Sequence, residues 1–138
     1  MKLSPKKFFT FITIFSTVMI IGCSGSVSPE YGNYKMALRN QMQDMVDVLF
    51  AGHYTEFLST YVEPSYISSM GGVNKALLQF DNAEQQRLYA DLKIAQNISP
   101  FYDPDKNQMV YQGAMILRPI AFKQIGGKWY MEGQWFNN

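Results

Sequence analysis

The chain has 138 residues, with 12 Lys and Arg against 11 Asp and Glu for a formal charge of +1, and 15% of its residues are aromatic. A balance this close to neutrality argues against the basic surface that phosphate backbones demand, and so against nucleic acid as a partner. The length suits one domain with a single core, and the one cysteine, Cys23, excludes an intrachain disulfide and any cysteine-based metal cluster.

Lys2, Lys6 and Lys7 open the chain, and no acidic residue precedes Glu30. Phe8 to Ile21 is then apolar apart from Thr10, Thr13, Ser16 and Thr17. That run is shorter than the roughly 20 residues a spanning helix needs and has the length of a signal h-region. It ends in Ile20-Ile21-Gly22-Cys23, which resembles the lipobox of bacterial lipoproteins: a branched apolar residue, a tolerant position, a small residue, then cysteine. The resemblance implies that residues 1–22 are a signal peptide cleaved before Cys23. It also implies that the Cys23 thiol carries a diacylglyceryl group in thioether linkage, through which the protein reaches a membrane. One acyl chain binds only marginally, at about 0.8 kcal/mol per buried methylene, whereas two or three hold a protein in place. Where the host has two membranes, Ser24 in place of the aspartate that retains enteric lipoproteins implies the periplasmic face of the outer membrane.

Cleavage removes three of the 12 basic residues and leaves nine against 11 acidic, a formal −2, which again argues against nucleic acid. Residues 23–33, with Ser24-Gly25-Ser26-Val27-Ser28-Pro29 small and polar, read as the lipidated cysteine and a flexible tether. Residues 24–33 could reach about 30 Å at full extension. Residues 34–138 read as one α+β domain.

Within it, Leu38, Met42, Met45, Val46 and Leu49 recur at three- and four-residue steps, with Arg39, Gln43, Asp44 and Asp47 mostly opposite, which predicts an amphipathic helix over 34–51 stopped by Gly52. Tyr54, Phe57, Leu58 and Tyr61 repeat the spacing and predict a short helix ending before Pro64. A helical turn over 65–70 is broken by Gly71-Gly72, and Val73 to Phe80 reads as helical again. Asp81-Asn82-Ala83-Glu84 has the form of a capping box, in which Asp81 accepts from the Glu84 amide while the Glu84 side chain reaches back. Behind it, Ala83 to Asn97 is built of strong helix formers, with Leu88, Leu92 and Ala95 on one stripe.

After Pro100 the period changes to two. Gln108 to Met115 alternates, Leu117 to Ile125 is apolar and branched, and Gly126-Gly127 signals a two-residue hairpin. Lys128 to Phe136 follows, with Trp129, Met131 and Trp135 on one face and Lys128, Tyr130, Glu132 and Gln134 on the other. Pro119 cannot donate to a ladder, so its strand is expected at an edge or bulged. Helices followed by an antiparallel meander predict an α+β fold with the helices packed on one face of the sheet.

Phe57-Leu58-x-x-Tyr61-Val62-x-Pro64, followed by Phe122-Lys123-x-Ile125-Gly126-Gly127-Lys128-Trp129-Tyr130, resembles small lipoproteins of the nuclear transport factor 2-like superfamily. The resemblance spans roughly residues 34–136 and implies a curved sheet wrapped round a long helix to form a cone with a pocket. It does not choose a function, because members include enzymes and proteins that only bind ligands or partner domains.

Chemistry is sparse. His53 is the only histidine, and the superfamily's enzymes pair such a residue with an acid, for which Asp44, Asp47 and Glu56 are near in sequence. Its place after Gly52 at a helix boundary fits capping or solvation instead. Asp103-Pro104-Asp105-Lys106-Asn107 starts like a calcium loop but has Gln108 where glycine is needed and Ala114 where glutamate is needed, so it reads as a turn. No phosphate-binding glycine loop, nucleophile elbow or His-Glu-x-x-His occurs, and neither a metal nor a cofactor is expected. Trp129, Met131 and Trp135, with Tyr111 and Phe122, are the candidate ligand-binding residues if the sheet lines a cleft, and core residues otherwise. The expected function is a non-catalytic envelope lipoprotein that binds a protein partner or a small apolar ligand. The alternatives are an enzyme of the same fold using His53 with a carboxylate, and a passive structural lipoprotein.

Overall fold

The computed structural model describes residues 29–137. The signal segment, Cys23 and the tether up to residue 28 lie outside them. Among the described residues, five helices pack against a four-stranded antiparallel open sheet, in the helices-then-meander order that the periodicities predict.

Helix α1 runs Pro29–Phe50, about 33 Å long, and starts five residues before the predicted position, within the stretch read as tether. Proline lacks an amide hydrogen, which a first helical turn leaves unbonded in any case, and Glu30 complements the helix dipole there. The added turn has tertiary support: Tyr31 and Tyr34 pack on the core, and the Tyr31 hydroxyl donates to the Pro100 carbonyl. Leu38, Met42, Met45, Val46 and Leu49 are all buried, as their spacing predicts. No helix of the described residues is long and apolar enough to cross a membrane.

After Gly52 the chain forms α2 (Tyr54–Tyr61), α3 (Pro64–Ser69) and α4 (Val73–Gln79). The α2–α3 junction is extended over Val62 and Glu63, and Pro64 disfavours helix in the residue before it, Glu63. Val62 thereby bridges Met131 in parallel, and the Glu63 amide donates to the Met131 carbonyl at 2.9 Å. Helix α5 (Asn82–Ala95) is capped by Asp81, which accepts from the Glu84 amide at 2.9 Å. The second half of the predicted capping box is not made. The Glu84 carboxylate turns instead to Arg118, whose guanidinium offers two charge-assisted bonds in place of one backbone amide.

The sheet has the order β1 (Phe101–Asp103), β2 (Gln108–Tyr111), β3 (Ile120–Ile125), β4 (Lys128–Met131), every neighbour antiparallel. Its register aligns Met109, Phe122 and Met131 across three strands and sets Tyr111 opposite Ile120, so one face is continuously apolar and buried under the helices. Gly126 and Gly127 make the predicted hairpin, with φ of +58° and +80° at the two turn positions, where a primed turn requires positive values. Pro119 immediately precedes β3, which is a central strand, so the expected edge or bulge is not found: the residue lacking an amide hydrogen sits before the ladder begins.

Strand β4 ends at Met131, not at Phe136. Beyond it the chain turns into a 3-10 segment, Gly133–Asn137, that lies against α3 so closely that a Cβ on Gly133 would overlap the Tyr66 ring. Trp135 therefore reaches the core from that segment and not by strand alternation with Trp129 and Met131.

Candidate functional site

The five residues singled out for ligand binding are all core. Tyr111, Phe122, Trp129, Met131 and Trp135 are each buried, and the rings of Tyr111 and Phe122 meet edge-on at 5.9 Å. Tyr34 packs edge-on against Trp129 at 5.1 Å, and Gln41 on α1 donates to the Trp129 carbonyl at 3.0 Å, so α1 fills the space in front of that strand. The structure brings these residues together as packing rather than around an apolar cavity.

His53 stands at the N-terminus of α2 without making a side-chain cap. Its Nδ1 lies 3.4 Å from Glu56, but both side chains are mostly exposed, at 63% and 59%, where water screens the pair. Asp44 is exposed on α1, and Asp47 accepts from Gln43 at 2.9 Å. The segment read as a failed calcium loop is a turn: the Asp103 carboxylate accepts from the amides of Asp105 and Lys106 at 3.1 and 3.3 Å. Among the described residues no group of three or more acid, histidine or cysteine side chains could hold a metal ion.

The best-built polar constellation was not anticipated. Asp91 is a charged residue on the buried face of α5, only 1% exposed, between Leu88 and Leu92. Its two oxygens accept from the amides of Leu117 and Arg118 at 3.1 and 3.4 Å, which fastens the β2–β3 connection to the helix. Seven residues earlier on the same helix, Glu84 receives both arms of Arg118, at 2.7 and 2.9 Å. The guanidinium also donates to the Trp135 carbonyl at 3.0 Å and lies over the indole, 4.8 Å from its centroid. A carboxylate breaking an apolar helical stripe, at Asp91, is the one sequence signal that could have located this clamp. Its chemistry is structural, because every charge in it is answered within the fold.

The remaining candidates are clefts open at the surface. One of about 220 Å³ lies on the outer face of the sheet, where Gln108 donates to the Glu132 carboxylate beside Val110 and Ala121. A second, also about 220 Å³, is bordered by Leu49, Phe50, Tyr54 and Tyr89, with Phe50 81% exposed. A third of about 160 Å³ lies between α1 and the turn after α5, with Lys35 and Arg39 on one side and Tyr111 lining it. Burial, and then the neighbouring Tyr31, push the Tyr111 hydroxyl well above the ordinary tyrosine range, so it keeps its proton. No family model, curated protein or solved structure matches this chain.

Proposed function

We propose that the chain is a lipid-anchored envelope lipoprotein, non-catalytic, whose domain binds a protein partner. The observation that carries the anchor is Ile20-Ile21-Gly22-Cys23 at the end of the basic and then apolar N-terminal segment. A small apolar ligand has less support, because the aromatic residues available to it are packed among themselves. A protein partner is favoured by the aromatic groove at Phe50, where a large apolar side chain stands mostly in water. The proposal includes a nuclear transport factor 2-like fold, supported by the long α1 ahead of an antiparallel meander ending in the glycine hairpin.

Metabolic labelling with palmitate tests the anchor. The wild-type chain is expected to take up label and sediment with membranes. Cys23→Ser, whose hydroxyl cannot form the thioether, is expected to take up none and to accumulate unprocessed or in the soluble fraction. Equal label in both would refute the lipoprotein reading. In a host with two membranes, the proposal with Ser24 after the lipidated residue puts the protein on the outer one, so density-gradient separation is expected to recover it with outer-membrane markers. Recovery with inner-membrane markers alone would contradict that placement.

A further inference from the structure

We propose that the cleft between the first half of α1 and the turn after α5 binds a phosphate group, held by Lys35, Arg39 and the Tyr111 hydroxyl. This goes beyond the anchoring and partner reading and does not depend on it. Lys35 and Arg39 are one helical turn apart, so both reach the same cleft, and no carboxylate lines it. Two like charges side by side without an acid repel each other, and a bound oxyanion removes that repulsion. The Lys35 ammonium donates to Ser99 Oγ at 2.7 Å, which leaves two of its three protons for a ligand. Arg39 has no hydrogen bond or ion pair among the described residues, so its fork is open to two phosphate oxygens.

Tyr111 supplies the independent observation. The residue is 1% exposed and lines the cleft, yet its hydroxyl has no hydrogen-bond partner among the described residues. A buried donor left alone is uncommon, and one beside two cations is accounted for by an acceptor that belongs in the cleft. Because burial holds the proton on the oxygen, the hydroxyl donates throughout the neutral range.

The C-terminus of α5 faces the same cleft and would oppose an anion if its carbonyls were bare. They are not. Leu92, Ile94 and Ala95 carbonyls accept from the amides of Gln96, Asn97 and Ile98, and the Lys93 carbonyl accepts from the Asn97 side chain at 3.0 Å. The volume of about 160 Å³ holds a phosphate with water to spare.

Free phosphate compounds and phospholipid headgroups share this chemistry, and one experiment separates them. The full chain is held in dodecyl maltoside micelles, which carry no phosphate, and inorganic phosphate is titrated by equilibrium dialysis. Saturable binding at one site is expected, weakened about tenfold or more in Lys35→Gln and in Arg39→Gln, since each removes a charge-assisted contact. Tyr111→Phe deletes only the oxygen and is expected to weaken binding several-fold while leaving the circular dichroism spectrum unchanged. Lys128→Gln, a cation that does not line the cleft, is expected to change nothing. Adding phosphatidylglycerol to the micelles then identifies the source: a fall in apparent phosphate affinity beyond that caused by an equal charge of a sulfated surfactant assigns the site to headgroups, and an equal effect of the two assigns it to a free phosphate compound. Absence of saturable binding, or binding that Lys35→Gln, Arg39→Gln and Tyr111→Phe leave within about twofold of wild type, would overturn the proposal.

Discussion

Replacing Trp135 with alanine is expected to destabilise the domain by about 3–5 kcal/mol, as truncation of a large core aromatic does. The indole is 2% exposed and packs edge-on against Phe136 at 5.2 Å. The Arg118 guanidinium over the ring would lose its stacking surface as well, while keeping its bonds to Glu84. A loss of that size is a large part of the roughly 5–15 kcal/mol that holds a small domain together. Lys128→Ala is the control: the side chain is exposed, and its ammonium lies 5.0 Å from the centre of the Tyr130 ring. Its removal is expected to cost no more than about 0.5 kcal/mol. Urea unfolding of the chain from residue 24 onward measures both. Small and equal losses would mean that the 3-10 segment does not close the core.

Trp135 also marks how far periodicity carries. Its burial was legible from its apolar character, but the strand that was to deliver it was not there. Alternation continues in the sequence through Phe136 because the 3-10 segment has a buried side of its own, at Gly133 and Trp135. The end of the strand is dictated by something remote, the ring of Tyr66 pressed against Gly133. Strand β1 was missed for a related reason: three residues, two of them exposed, carry no alternation to read. The long amphipathic stripe of α1, the Asp81 cap and the Gly126-Gly127 turn were legible because their causes are local. The phosphate cleft was not. It joins Lys35 to Ser99 across 64 residues and places both beside Tyr111, a proximity that only the packing of α1 on α5 and the sheet creates. His53 is the opposite case: a chemically suggestive residue type whose place after Gly52 at a helix boundary points to solvent, where its side chain lies.

The second large effect is expected at Asp91, where Asp91→Ala should cost about 2–4 kcal/mol, since it removes two hydrogen bonds to a buried carboxylate. One of those bonds, to the Arg118 amide at 3.4 Å, is long, which keeps the expectation below the sum of two ideal bonds. The cost arises on the other side of the contact: the amides of Leu117 and Arg118 lose their acceptor, and the loop between β2 and β3 loses its tie to α5. Asp91→Asn keeps one carbonyl acceptor and is expected to lose less, about 1–2 kcal/mol. Asp91→Leu separates the tie from mere filling of space, because leucine restores apolar volume among Leu88, Leu92 and Ala95 but offers nothing to the amides. If the carboxylate is a tie, Asp91→Leu is destabilised like Asp91→Ala, and amide exchange at Leu117 and Arg118 accelerates in both while the amides of β3 and β4 stay protected. Should Asp91→Leu match or exceed the wild type in urea, with the loop amides still protected, the carboxylate would be a tolerated charge. The loop would then be held by Ile116 and by the Glu84–Arg118 pair, in which the Glu84 carboxylate accepts from both arms of the guanidinium at 2.7 and 2.9 Å.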